Sequence, residues 1–175
     1  MVEIDKKIII RKTEHIHSQN APNKIVKDVL IKETEYHKED VYNMMLFISD
    51  LIEDAGKNHD STKLKFFDMF FKDCLAVQEN PELNFKDLDW YNLHCNQERH
   101  HINSNIPHNV NLIDIIELVV DSVAAGLARS GKLSKEYFMI DPEVLQQSVW
   151  NTALMLNDHC QVLSDEDMDD LDSKD

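Results

Sequence analysis

Glycine and proline are scarce in this chain, at three and four residues among 175. So few turn formers leave few ways to reverse direction tightly and many uninterrupted segments, which argues for helices over a many-stranded fold. Cysteine is also rare, and Cys74, Cys95 and Cys160 stand far apart with no C-x-x-C spacing. That weighs against a disulfide framework or a structural zinc knuckle and leads to the expectation of reduced thiols in a cytoplasmic protein. Basic residues are outnumbered, 18 against 33 acidic, for a formal charge of −15. This balance opposes binding to duplex nucleic acid and to anionic membranes, although a local Lys or Arg can still hold a small phosphate. No apolar run approaches the roughly 20 residues that span a bilayer, and the first residues lack the apolar stretch of a signal peptide. Neither a membrane partner nor export is expected.

What is present is a globular composition, with 42% hydrophobic and 29% charged residues. A chain of this length can bury a sizeable core as one domain. The expected organisation is an N-terminal arm over residues 1–20, an all-α helical domain over 21–163 and an acidic, solvated tail over 164–175. Within the arm, Ile8-Ile9-Ile10 between charges reads as an edge strand or an ordered lead into the first helix.

Periodicity gives about five main helices. From Pro22 to Ala55, the residues Leu30, Thr34, His37, Val41, Met44, Ile48, Leu51 and Ala55 recur at steps of three and four, one face turned to a core, with Gly56 suited to the stop. The apolar run Lys63 to Val77 is a second helix, ended near Asn80-Pro81. A third covers Asp87 to His101, and the Asn- and Pro-bearing stretch Asn103 to Asn109 is a loop. Asn111 caps a fourth helix that runs to Ser130 before Gly131. Asp141-Pro142-Glu143 opens a fifth, continuing to about Leu163.

The residue types that carry chemistry lie in order along these helices. His37 falls on the apolar stripe, as a ligand or as a hydrogen-bonded core histidine. His59-Asp60 sits at a helix junction, where Asp60 is either an N-cap or an oxygen ligand beside an imidazole. Lys63 either projects from the same turn toward a phosphate or faces solvent. His94, Glu98 and His101 share one face of a continuous helix, while His100 points elsewhere unless the helix has ended. The fourth helix is apolar nearly all round, which predicts a buried central position, and Asp114, Glu117 and Asp121 form its one acidic stripe. Buried carboxylates are costly without a cation, so a metal or a positive partner is expected there.

The set His37, His59-Asp60 and Asp121 resembles the H…HD…D signature of the HD superfamily of helical metal-dependent phosphohydrolases. His59-Asp60-Ser61-Thr62-Lys63 is similar to its HD-x-x-K form, whose members carry two further histidines, places that His94 with His101 or His100 can fill. With His94-x-Asn96 and Glu117-x-x-x-Asp121, residues 30 to 130 resemble a group of small phage and bacterial HD-like proteins. The resemblance implies metal ligation by His37, His59, Asp60, His94, His101 and Asp121, with one or two Mn, Fe, Co, Ni, Zn or Mg ions. It further implies a small phosphorylated substrate, a nucleotide by analogy, with Lys63 on the phosphate and Glu117 positioning or deprotonating water. A phage-encoded chain would act in the host cytoplasm. Two other readings stand beside it: a non-enzymatic acidic protein that binds a host protein or mimics nucleic acid, and a di-iron oxygenase on a similar ligand set.

Overall fold

A computed structural model describes residues 7–13, 26–102, 104–133, 139–164 and 167. Nearly all of the expected acidic tail, and the ends of the expected arm, lie outside these residues. The described chain is all-α apart from two short strands. In order it forms β1 (Ile8–Arg11), α1 (Lys27–Asn58), α2 (Ser61–Lys65), α3 (Phe67–Glu79), a 3₁₀ turn (Phe85–Asp87), α4 (Asp89–Gln97), α5 (Leu112–Ser130), α6 (Pro142–His159) and β2 (Cys160–Leu163). Contacts divide it into two compact units, residues 1–50 with 154–175, and residues 51–153.

In the first unit β1 runs parallel to β2, with Ile8 opposite Cys160 and Arg11 opposite Leu163. The helix expected to reach Leu163 therefore stops at His159, because β-branched Ile8 to Ile10 offer the last four residues a partner strand. Arg11 anchors this strand to α1. Its backbone N–H donates to Asp40 Oδ2 at 3.1 Å, its Nη1 lies 2.7 Å from Glu39 Oε2, and its guanidinium carbon stands 4.5 Å from the centre of the Tyr36 ring. In consequence the first half of α1 buries Glu33 and Asp40, while Leu30, Thr34, His37 and Val41, expected to face a core, are exposed. The half-buried cationic end of the strand faces the polar side of the helix at Glu39 and Asp40.

The second unit has its apolar centre at Ile102, Val110, Ile115 and Leu118, packed against Leu112, Ile140 and Val144. Two polar contacts tie α5 to α6 within it: the Leu112 N–H donates to Thr152 Oγ1 at 2.9 Å and Asn151 Nδ2 donates to the Val110 carbonyl at 2.7 Å. The local signals for α5 hold at both ends. The Asn111 side chain accepts from the first turn in a capping box with Asp114, and Gly131 stops the helix at φ 66°. At the start of α6, Asp141 Oδ1 accepts from the Glu143 N–H at 2.8 Å.

Three boundaries differ from the sequence reading. Gly56 lies inside α1, which runs on to Asn58. The single helix expected from Lys63 is broken at Phe66, φ −118° and ψ 39°, into α2 and α3. The third helix ends at Gln97 rather than His101, and Glu98 turns to φ −89°, ψ 118°. Helix α5 is also less enclosed than its composition implies, since Val120 is 61% and Leu127 53% exposed. Its buried face is Ile113 to Ile115, Leu118, Ser122 and Gly126. Among the described residues no helix is long and apolar enough to cross a membrane, and the three cysteines are free thiols.

Candidate metal centre

The site grows from the short stretch between α1 and α2. Asp60 is the one non-glycine residue with positive φ among those described, at φ 55° and ψ 23°. Aspartate tolerates this left-handed conformation better than most residues, and departures of this kind concentrate at functional sites. Although Asp60 occupies the N-cap position of α2, its side chain makes no cap hydrogen bond. The open helix end is served from elsewhere, because Glu98 Oε1 accepts the Thr62 N–H at 2.9 Å. Asp60 is thereby free to turn its carboxylate toward imidazoles.

Three of these rings present the same nitrogen to it. His94 Nε2 lies 3.2 Å and His100 Nε2 3.8 Å from Asp60 Oδ1, while His59 Nε2 lies 3.4 Å from Oδ2. In His59 and His94 the opposite nitrogen is hydrogen-bonded, and in His100 it stands beside a carboxylate. His94 Nδ1 pairs with Thr62 Oγ1 at 2.6 Å, and Glu117 Oε1 stands 2.9 Å from His59 Nδ1 and 3.0 Å from His100 Nδ1. An outer oxygen on Nδ1 with Nε2 facing inward is how metal-binding histidines are commonly oriented. His101 joins through its Nε2, 2.7 Å from His94 Nε2, and Asp121 Oδ1 lies 3.4 Å from His59 Nε2.

The donor atoms fall into two groups, each with ligand atoms within 4.8 Å of one another: Asp60, His94, His100 and His101, and separately His59, His100 and Asp121. His100 belongs to both, and the two oxygens of Asp60 face different sides. The ending of α4 at Gln97 makes this possible. A turn over Glu98 to His101 brings His100 and His101 back beside His94, whereas a continuous helix would have carried His100 away. Trp90, only 2% exposed, backs His94 with ring centres 4.7 Å apart and planes 18° from parallel.

Charge in the cluster is strongly coupled. Burial disfavours ionisation of Asp60, but hydrogen bonding to His94, the ion pair with Lys63 and the nearness of His59 outweigh it and hold its carboxyl well below the usual range. Glu117 is likewise lowered, its burial overcome by His100 and His59. Burial alone would lower His100, yet the Glu117 carboxylate raises it. His101 is pushed down to about 4 by burial and by the neighbouring His100 and His94.

A mixed nitrogen and oxygen donor set fits a divalent transition metal. A specific observation supports the fit: His100 is 1% exposed, its Nε2 has no hydrogen-bond partner, and the approach of its Nδ1 to Glu117 falls short of a directed bond. Buried polar atoms are seldom left unpartnered.

Of the residues singled out from sequence, His59, Asp60, Lys63, His94, His101, Glu117 and Asp121 converge here. Two do not. His37 lies exposed in the first half of α1, within the other compact unit, and belongs to neither donor group. Asp114 leaves the acidic stripe because Arg99 clasps it with two bonds of 2.7 Å, Nε to Oδ1 and Nη2 to Oδ2. The positive partner expected for that stripe is thus an arginine at Asp114. Thr62 and Trp90 carry no local signal of their own in the sequence, while His100, which the sequence leaves as the alternative to His101, stands in the cluster beside it.

Comparison of the chain with protein-family models, curated proteins and solved structures gives no match.

Proposed function

We propose that this cluster holds one or two divalent metal ions and that the protein is a metal-dependent phosphohydrolase acting on a small phosphate ester. The observation that carries the reading is the common orientation of His59, His94 and His100, each with Nε2 toward Asp60 and Nδ1 toward Glu117 or Thr62. Asp60, His94, His100 and His101 would hold one ion, and His59 with Asp121 would offer donors for a second, since the single lone pair of His100 Nε2 can serve only one of the two. When bound, a divalent cation supplies Lewis acidity, lowering the cost of charge developing on phosphoryl oxygens and of ionising water. The imidazole-rich set suits Zn, Fe, Co, Ni or Mn better than Mg, which prefers oxygen ligands and its own waters.

The remaining roles belong to the chain. Lys63 pairs with the Asp60 carboxylate, and its side chain is 41% exposed, so its ammonium can swing to a phosphate oxygen while staying at the rim. Glu117 is a positioning residue: its Oε1 is shared by two rings, which sets their orientation and leaves that oxygen poorly placed to take a proton from water. This reading gives no ligand role to His37, the first histidine of the H…HD…D pattern, and draws its nitrogen donors from His59, His94, His100 and His101.

The test is elemental analysis of the purified protein followed by phosphate release from a panel of phosphate esters. Bound transition metal and metal-dependent release are expected, both lost in Asp60→Ala and both retained in His37→Ala. A metal-free protein that binds neither Mn²⁺ nor Zn²⁺ when titrated would overturn the reading.

A further inference from the structure

A cavity of about 230 Å³ opens beside the cluster, within the unit of residues 51–153. Ile52 and Gly56 of α1 and Ile116 and Val120 of α5 are among its walls, and its only polar side chains are those of His59, Glu117 and Asp121. Away from the last turn of α1, where the carbonyls of Ala55 and Gly56 lie, the lining backbone is hydrogen-bonded within the two helices, and the rest of the wall is apolar side chain. An apolar hollow that touches polar groups at one place only can hold an apolar group attached to a polar one, and orients it through that junction.

We infer that this cavity takes the apolar alcohol portion, aryl or alkyl, of a phosphate ester whose phosphate lies at the metal cluster, and that nucleotide bases are not read there. The inference rests on the metal reading above and names the substrate class for it. A site discriminates strongly by hydrogen bonding only where it presents buried polar groups that a wrong ligand leaves unpaired; an apolar wall selects weakly, by size and shape. Beyond the cluster and the end of α1 the walls are apolar side chains, so the edges of adenine, guanine, cytosine and uracil find no matched set of donors and acceptors there.

Gly56 supplies the means of testing this. A Cβ built on it meets no atom within 4 Å, so a side chain there starts into open space at the cavity wall. Replacing a helical glycine also favours the helix. Gly56→Leu should therefore narrow the cavity in a folded protein. Ala124→Leu, on the facing helix, is an independent obstruction from the other wall.

The experiment is calorimetric titration of the metal-loaded protein with phenylphosphonate and methylphosphonate, which share a charged head and differ in the apolar group, with Mn²⁺ and Zn²⁺ titrated alone as the control. Phenylphosphonate should bind at least tenfold more tightly. Gly56→Leu and Ala124→Leu should each remove that advantage and leave affinity for the metal and for methylphosphonate unchanged. Adenosine, guanosine, cytidine and uridine monophosphates should bind within a few-fold of one another. Equal affinity for the two phosphonates, a preference untouched by both variants, or a strong preference for one base would overturn the inference while leaving the metal site standing. Failure of both metals to bind would remove the reading beneath it, and the inference with it.

Discussion

Thr62 Oγ1 lies 2.6 Å from Nδ1 of His94, and this contact settles which nitrogen of the ring faces Asp60. Both residues are buried, at 4% and 3% exposure. Thr62→Val keeps the shape and removes the hydroxyl, leaving His94 free to turn and its Nδ1 without a partner. Loss of such an outer contact commonly weakens metal binding about 10- to 100-fold. An unsatisfied buried group further costs about 1–3 kcal/mol of stability. Metal titration and urea denaturation of the metal-free protein measure the two effects, and wild-type values in both would show that Thr62 does not orient the ring.

Lys63 competes with any cation for Asp60. Lys63→Met should tighten metal binding slightly, by no more than about fivefold, since a half-exposed ion pair is worth about 1 kcal/mol or less. Turnover of a phosphate ester should fall by about ten- to a thousandfold, the scale of losing one charged donor to the transition state. Parallel loss of metal and activity would instead make Lys63 a support for the ligands.

The metal-free protein should lose stability as pH falls from 6.5 to 4. His101 is held at about 4 in the fold against an ordinary 6.5, so between those values the unfolded chain binds the extra proton and unfolding gains. His101→Gln should flatten this part of the pH–stability curve, read from urea midpoints at several pH values. His100 acts in the opposite sense: its raised value adds stability below 6.5 that is lost as pH climbs through the folded value. A curve unchanged by His101→Gln would mean that this ring titrates normally.

Arg99→Met should destabilise the fold without touching the metal site. Asp114 is 3% exposed, receives two Arg99 bonds and also accepts the Asn111 N–H at 2.9 Å. Removing the guanidinium leaves a buried carboxylate with only its cap contact, and charged hydrogen bonds of this kind are worth about 1.5–3 kcal/mol. A shift of that size in the denaturation midpoint, with metal affinity unchanged, is expected. A large drop in metal affinity would place Asp114 back among the acidic residues of the site.

What the sequence discloses depends on how far each determinant reaches. The bounds of α5 and the start of α6 are set by Asn111, Gly131 and Asp141 acting on neighbouring backbone, and they are legible in a linear reading. The end of α4 is set by distant partners: Glu98 turns to the Thr62 amide and Arg99 to Asp114. No local pattern announces either. The same limit explains the site. His59-Asp60, His94, Glu117 and Asp121 are visible as reactive types at helical spacing, but His100 becomes a neighbour of Asp60 only after the helix has ended early. His37 shows the converse, because a stripe of threes and fours marks a face and does not say whether the fold covers that face.

The pairing of β1 with β2 bears on how the chain is made. Ile8 to Ile10 emerge from the ribosome some 150 residues before their partner strand. At about 5–20 residues per second they wait roughly ten to thirty seconds as an unpaired, β-prone segment. Such segments recruit other chains unless flanked by charge. Lys6 and Lys7 precede the isoleucines, and Arg11 and Lys12 follow them. These four cations act as gatekeepers during synthesis, and in the finished protein Arg11 is reused as the anchor on α1. Neutralising them should show first as aggregation of the nascent chain and only afterwards as a defect of the folded one.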